Sequence, residues 1–168
     1  MLEYTSLPHR QSLRPQTYKG LPHAQIGVEP VPEINAELFR RVYRLPDVEN
    51  HLTTPSVPGS RGIWLRADIP LVHPELTTGP GGREFAHIHP DGSLHVILPA
   101  QRASQAIETG WAEPHPLATA MGRQGRIMLY TPQTFEELST VVQIVVDAYN
   151  AVTGRAVNAE TLHSTNNE

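Results

Sequence analysis

The chain has 168 residues with 39% hydrophobic side chains, enough for one domain with a hydrophobic core. Its net charge of −4 and the lack of a Lys/Arg cluster on any helix face argue against nucleic acid as a partner. The absence of cysteine excludes disulfides, thiolate metal sites and a cysteine nucleophile. Because no apolar run approaches the roughly 20 residues of a membrane span, we expect a cytoplasmic protein that does not bind membranes.

Residues 1–33 contain five prolines separated by scattered polar residues. Proline fixes φ and lacks an N–H donor, so this segment is not expected to form an interior helix or strand. Two alternatives remain open: an extended arm that packs on the surface or on a neighbouring subunit of a homo-oligomer, or a flexible tail. We expect the folded domain to span 34–154 and to be followed by a polar tail over 155–168.

Helical and alternating patterns define the elements that come before and after a central hairpin. The period of 3.6 predicts a first helix over Ala36–Leu45, with Asn35 as its N-cap. A strand follows over Gly62–Leu71, where apolar and polar residues alternate. Beyond the hairpin, a short helix is predicted over Gln101–Thr109 and a short strand over Arg126–Tyr130.

The last helix has the strongest signals. Thr134 and Glu137 form a capping box, a helical apolar stripe continues from there, and Gly154 ends it. The order of elements, with hairpin connections and no βαβ repeat, predicts an α+β fold. We expect a mostly antiparallel sheet of about four strands, with the long C-terminal amphipathic helix and the shorter helices packed on one face.

The hairpin is predicted around the turn Pro90-Asp91-Gly92, in which glycine takes a positive φ. A three-residue loop fixes the cross-strand partners as His89 with Ser93, His87 with His95, and Phe85 with Ile97. Alternation places these six side chains on one face and only apolar side chains on the other. Three imidazoles between hydrophobic residues are typical of a pocket wall, so Phe85 and Ser93 become substrate-binding candidates. A purely structural role for the histidines remains an alternative.

A loop over residues 110–117 carries a second group of candidate residues. Pro114 and Pro116 lie on either side of His115 and restrict its backbone, which presets the direction of its imidazole. Trp111 adds a flat surface with one donor, although packing in the core is the more ordinary explanation for it.

Three types of chemistry were weighed for these residues. His87, His89 and His95 could hold a divalent transition metal with an open position. The cupin pattern of Gly81, His87 and His89 lacks its glutamate, because Ser93 and Leu94 stand where that residue belongs. Neither a nucleophile elbow nor a glycine-rich phosphate loop is present. Acid–base chemistry remains, in which a histidine removes the proton of an enol or phenol and activates it toward dioxygen.

Four ordered blocks resemble the fungal luciferase family, and the resemblance covers about residues 36–153. The blocks are residues 83–89, 93–95, 110–118 and 128–132, the last preceding an amphipathic helix. Fungal luciferases oxidise a hydroxylated α-pyrone, 3-hydroxyhispidin, with dioxygen and without a separate organic cofactor. The resemblance implies an active site of His87, His89, His95 and His115, with Arg83, Trp111, Glu113 and Tyr130 as substrate-binding candidates.

We therefore expect a luciferase-like oxidoreductase that oxygenates an enol, pyrone or phenolic small molecule, with dioxygen as co-substrate and no other cofactor. His87 or His95 would be the base, and His115 would orient the substrate or protonate the product. The alternative is a non-catalytic domain that binds a metal ion or small molecule with the same histidines. Light-emitting members carry a membrane-anchoring segment in place of the proline-rich arm, and a longer hairpin turn. We therefore do not expect light emission.

Overall fold

The computed structural model describes residues 3–53, 56–78, 81–120 and 122–163. These residues form an α+β fold, as predicted. The α-helices are α1 (Pro32–Val42), α2 (Ala100–Glu108) and α3 (Phe135–Thr153). The strands are β1 (Thr17–Tyr18), β2 (Ala24–Gln25), β3 (Val48–Leu52), β4 (Arg61–Leu65), β5 (Glu84–Ile88), β6 (Leu94–Ile97), β7 (Ala112–Pro114) and β8 (Arg126–Leu129). No helix among these residues combines the length and the apolar character needed to cross a membrane.

The main sheet has six strands in the order β3-β4-β5-β6-β8-β7, and every neighbouring pair is antiparallel. It has two strands more than the roughly four predicted, because β3 and β7 at the edges were not recognised. The side chains of β3 are almost all exposed, so that strand lacks the apolar alternation that marks a half-buried one. The three-residue β7 lies inside the segment that was predicted to be a loop.

The predicted helices are present, although α1 ends at Val42 rather than at Leu45 and α2 lies one residue earlier than predicted. Thr134 Oγ1 accepts a hydrogen bond from the Glu137 amide, and Gly154 ends α3 with a φ of 71°, as the capping signals indicated. The first helix begins at Pro32 rather than at Ala36. Proline is favoured at a first helical position, since its missing N–H would be unpaired there anyway. Asn35 is therefore inside α1 and is not its cap.

The hydrophobic core lies between α3 and one face of the sheet. Phe85, Ala86 and Ile88 of β5 and Leu94 and Val96 of β6 are all buried in it. Behind α3, the short 3₁₀ helix Ala159–Leu162 buries its two apolar ends, whereas residues 164–168 of the predicted tail lie outside the described residues.

The hairpin has the predicted register, with His87 opposite His95 and the amide of His89 bonded to the Ser93 carbonyl at 2.8 Å. However, Phe85 does not lie on the histidine face, and that prediction is wrong. A register shift between β4 and β5 pairs Ile63 with Ala86 but Trp64 with Glu84. The shift reverses the alternation, so the Phe85 ring packs 6.0 Å from Tyr149 of α3 and Glu84 takes the place beside His87.

The proline-rich segment is an extended arm that packs along its own domain. Trp111 Nε1 donates to the Pro8 carbonyl at 2.7 Å, and the Arg10 amide donates to the Thr109 carbonyl at 2.9 Å. Farther along, β1 and β2 pair as a small separate sheet. The arm therefore follows the surface next to α2 and β7 and ends beside the histidine face.

We expect Gly92→Ala to lower the free energy of unfolding by about 1–2 kcal/mol, because a side chain at positive φ is disfavoured by that order. Gly92 has a φ of 86°, and an added Cβ would lie 3.0 Å from atoms of Asn35 and Thr131. Urea unfolding measures the effect. Gly27→Ala is the control, since its φ is 70° but nothing lies within 4 Å of an added Cβ. Equal losses in the two variants would mean that the contacts at Gly92 contribute nothing.

Candidate active site

Five imidazoles meet in one group, here called the histidine cluster: His23, His87, His89, His95 and His115. All five side chains are buried. His95 lies at the centre, and its ring centroid is 5.2 Å from His23, 5.0 Å from His87, 4.5 Å from His89 and 4.7 Å from His115. The structure thus brings together the four histidines predicted from the sequence and adds His23 from the arm.

His87 is oriented by a carboxylate. Its Nδ1 lies 2.7 Å from Glu84 Oε1, an atom that also accepts a hydrogen bond from Thr53. The other nitrogen, Nε2, is 3.0 Å from His95 Nδ1 and 3.2 Å from the Ser56 hydroxyl. Glu84 therefore turns the Nε2 edge of His87 toward the centre of the cluster.

His89 is oriented through a hydroxyl. Its Nδ1 is 2.8 Å from Ser93 Oγ, and that hydroxyl donates to Asp91 Oδ1 at 2.6 Å. Asp91 Oδ1 also accepts a hydrogen bond from the Ser93 amide, so the turn fixes this series of hydrogen bonds from Asp91 to His89. His89 Nε2 is buried and has no hydrogen-bond partner among the described residues. A buried nitrogen without a hydrogen-bond partner is costly, so this atom is suited to bind a water molecule or another group from outside the chain.

His95 reaches a third carboxylate through the arm. Its Nε2 is 3.1 Å from His23 Nδ1, and His23 Nε2 is 2.5 Å from Glu113 Oε1. Glu113 Oε2 in turn accepts hydrogen bonds from Lys19 at 2.6 Å and from Tyr130 at 3.2 Å. Glu113 and Tyr130 thus support the cluster from behind.

His115 is oriented by a backbone amide. The Leu117 amide donates to His115 Nδ1 at 3.1 Å, so Nδ1 must be unprotonated and the ring proton of the neutral form lies on Nε2. His115 is therefore suited to donate a hydrogen bond.

Burial favours the neutral form of four imidazoles of the cluster, those of His23, His89, His95 and His115. Burial, assisted by neighbouring positive charges, lowers the pKa of His89 to about 3 and that of His115 to about 4. Burial also lowers the pKa of His95, far below its usual range. For His23 burial again lowers the pKa, although Glu113 opposes the shift. Neutral imidazoles have a free nitrogen lone pair, which is what a base or a metal ligand requires.

A cavity of about 360 Å³ opens beside the cluster. The described residues that line it are Leu21, Pro22, His23, Ser56, Val57, His87, His95, His115, Leu117 and Arg126. A volume of this order holds a small ring compound. The half-buried Arg126 guanidinium makes no hydrogen bond or ion pair with the described residues, so its charge is free to meet an anionic ligand.

The predicted substrate-binding residues lie away from this lining. The Arg83 guanidinium donates to three backbone carbonyls, the nearest being Ile69 at 2.7 Å. Phe85 and Trp111 are in the core, while Ser93, like Glu113 and Tyr130, supports a histidine. Their described roles are therefore structural or positioning.

Three residues of the site were missed by the reasoning from the sequence: His23, Glu84 and Arg126. His23 lies in an arm without periodicity, so no local pattern marks it. Glu84 could have been suspected because it precedes the hairpin histidines, but only the register shift brings it beside His87. Arg126 begins β8, and its exposure to the cavity depends on the sheet order.

Residues 82–148 match the Luciferase domain family. Luciferases of the fungi Armillaria gallica and Armillaria mellea are 30% and 29% identical to the chain over 159 residues. Each alignment covers 84% of this chain and 59% of the relative, so the chain spans less than two thirds of their length. A luciferase of Neonothopanus nambi is 34% identical over 100 residues, which are 53% of this chain and 37% of that protein. No solved structure matches the chain.

Proposed function

Because residues 82–148 match the Luciferase domain family, we propose that the chain oxygenates an enol, pyrone or phenolic small molecule with dioxygen. The observation that carries this proposal is a group of five buried imidazoles, four of which line a cavity of about 360 Å³. The cavity has the size of a single small substrate, and a neutral imidazole can accept a proton at its wall.

The proposed reaction needs no atoms beyond the substrate and dioxygen. The substrate hydroxyl loses its proton to His87, which Glu84 orients, and the enolate carbon forms a bond to one oxygen atom of O₂. Two electrons pass from the substrate to dioxygen, and return of the proton gives a hydroperoxide. His115 is placed to donate a hydrogen bond or that proton, because Nε2 bears its ring hydrogen. The proposal thus gives His115 the role that was expected from the sequence, which is to orient the substrate or protonate the product.

Arg126 supplies the positive charge that an enolate requires. It is a cation at the cavity wall without a hydrogen-bonded anion among the described residues. Burial lowers the pKa of its guanidinium, which means that the charge is partly desolvated and interacts strongly with an anion. We therefore assign Arg126 the binding of the deprotonated substrate oxygen.

An oxygen electrode tests the proposal directly. The probes are 3-hydroxyhispidin, simpler hydroxy-α-pyrones and catechols, each with the protein and with heat-denatured protein. The expected result is oxygen uptake above the uncatalysed rate with at least one probe, and photon counting in the same cell tests for light. Saturable binding of these probes without any oxygen uptake would overturn the proposal and leave a non-catalytic binding domain.

Replacement of Arg126 with methionine is expected to raise KM for an ionisable enol by about 10- to 100-fold, the range expected for one hydrogen bond to a charged group. Steady-state oxygen uptake measures the effect. Arg123→Met is the matched control, because Arg123 is an exposed arginine three residues away. If both variants kept the KM of the unmodified protein, Arg126 would have no part in substrate binding.

A further inference from the structure

We propose that His87, His89 and His95 hold one divalent transition-metal ion at the cavity wall, through Nε2 of His87, Nε2 of His89 and Nδ1 of His95. The inference rests on the proposed function in one respect, since the ion would serve the same reaction centre. Its direct evidence is the hydrogen-bond pattern around the three rings. That pattern fixes which nitrogen of each ring carries the proton.

His87 is the simplest case. Glu84 offers only an acceptor to His87 Nδ1, at 2.7 Å. Nδ1 therefore carries the ring proton, and the lone pair of the neutral ring is on Nε2, which also lies 3.2 Å from the Ser56 hydroxyl.

His89 follows by the same reasoning, one step removed. The single hydroxyl proton of Ser93 goes to Asp91 Oδ1 at 2.6 Å, so Ser93 Oγ accepts from His89 Nδ1. The lone pair of neutral His89 is then on Nε2, the buried atom that has no hydrogen-bond partner among the described residues.

His95 is fixed through His23. Glu113 places the His23 proton on Nε2, at 2.5 Å from the carboxylate oxygen. His23 Nδ1 then accepts from His95 Nε2 at 3.1 Å, which leaves the lone pair of His95 on Nδ1.

The three rings bring their nitrogens close together. One ring nitrogen of each of His87, His89 and His95 lies within 4.8 Å of the others, and His87 Nε2 is 3.0 Å from His95 Nδ1. Two lone pairs at that distance repel unless a cation lies between them. A proton shared by His87 and His95 would relieve that pair only and would leave His89 Nε2 without a partner. One metal ion serves all three nitrogens.

The surroundings have the pattern of a protein metal site. The other ring nitrogen of each ligand histidine is linked to a carboxylate by hydrogen bonds. The link is direct from His87 to Glu84, runs through Ser93 from His89 to Asp91, and runs through His23 from His95 to Glu113. Carboxylates in such positions orient the rings and raise their basicity as ligands. Three imidazoles suit Zn, Fe, Cu or Ni, and the cavity beside His87 and His95 leaves room for an open position.

A second trio, His23, His95 and His115, also brings its nitrogens within 4.8 Å of one another but is a poorer site. Both nitrogens of His23 are already used, by His95 and by Glu113. The lone pair of His115 is taken by the Leu117 amide. An ion at the first trio would make His87 and His95 ligands instead of bases, and His115 would remain the proton donor beside it.

The test is a titration of the full chain, produced without a histidine tag and stripped with a chelator, with Co²⁺ as the probe. We expect one equivalent to bind, with visible d–d absorption that reports nitrogen ligands, and a thermal midpoint that rises as binding stabilises the folded state. His89→Ala should abolish both effects. Ser93→Ala removes only the link to Asp91 and should weaken binding by about 10- to 100-fold.

His115→Ala is the matched control, since it removes an imidazole of the same cluster without removing a ligand, and it should keep the stoichiometry. Circular dichroism of each variant shows whether it is folded. If His89→Ala does not fold, the weaker binding expected of Ser93→Ala becomes the test of the site. Failure of Co²⁺ to bind the unmodified protein, or equal binding by His89→Ala, overturns the metal site. The oxygen assay is read separately: metal binding without oxygen uptake contradicts only the proposed function, and uptake by metal-free protein contradicts only a role of the ion in the reaction.

Discussion

Replacing His95 with alanine is expected to lower kcat/KM for oxygenation by about 10²–10⁴, the range seen when a positioned acid–base group is removed. His95 is the ring that the other four imidazoles of the cluster all contact, with His89 at 4.5 Å as the nearest. The large effect is expected whether His95 accepts a proton or holds an ion, because both roles use its free nitrogen. Oxygen uptake at several substrate concentrations gives the value.

The control for this variant is His51→Ala. His51 lies on β3 with 53% of its side chain exposed, and it contacts Glu49 and the Trp64 ring but no residue of the cluster, so its removal should leave turnover unchanged. Circular dichroism shows whether each variant is folded. A folded His95→Ala protein with the kcat/KM of the unmodified chain would remove the histidine cluster from the reaction.

Arg102→Met is expected to lower the free energy of unfolding by about 3–5 kcal/mol, the usual cost of removing one partner of a buried ion pair. The Arg102 side chain is 0% exposed, and its Nε donates to Asp147 Oδ2 at 2.8 Å. The same guanidinium donates to the Thr5 carbonyl and lies 4.8 Å from the Tyr4 ring. Without it, Asp147 is a buried carboxylate without a cation, and the arm loses an anchor. Urea unfolding measures the loss.

The pH dependence of this loss has a definite sign. Burial raises the pKa of Asp147 although Arg102 opposes the shift, so removal of Arg102 raises it further. An acid with a raised pKa in the folded state destabilises that state once it ionises. The deficit of Arg102→Met should therefore grow as the pH rises above about 4, the ordinary value for aspartate.

The combined variant Arg102→Met, Asp147→Leu is the control for the buried pair. Replacement of both charges by apolar side chains of similar size is often close to neutral, so the double variant should recover most of the loss. A single variant as stable as the unmodified chain at pH 7 would contradict the assignment of Arg102 as a buried anchor.

Local signals predicted the parts of the fold that local chemistry decides. The turn Pro90-Asp91-Gly92 and the alternation of its flanks were sufficient to place His87 opposite His95. The caps at Thr134 and Gly154 set both ends of α3. In each case the deciding interactions are made within a few residues of one another, and these can be found in a single sequence.

The parts that were missed depend on distant partners. The face taken by Phe85 follows from a register shift against β4, a strand more than 20 residues earlier in the chain. The site position of His23 requires its contacts with His95 and Glu113, which are 72 and 90 residues away. No turn, cap or periodicity records such contacts. Four histidines of the cluster could therefore be found from the sequence, whereas His23 and its hydrogen bond to Glu113 could not.

The route of the arm sets an order of events when the protein is made. His23 leaves the ribosome early, but Glu113 and the strands that hold His95 are completed only when β8 has been synthesised and paired. Until then the arm has no surface on which to dock, and the cluster is open on the side that His23 later covers. The arm can therefore cover the cluster only after His95 and Glu113, which lie 72 and 90 residues after His23, have been synthesised.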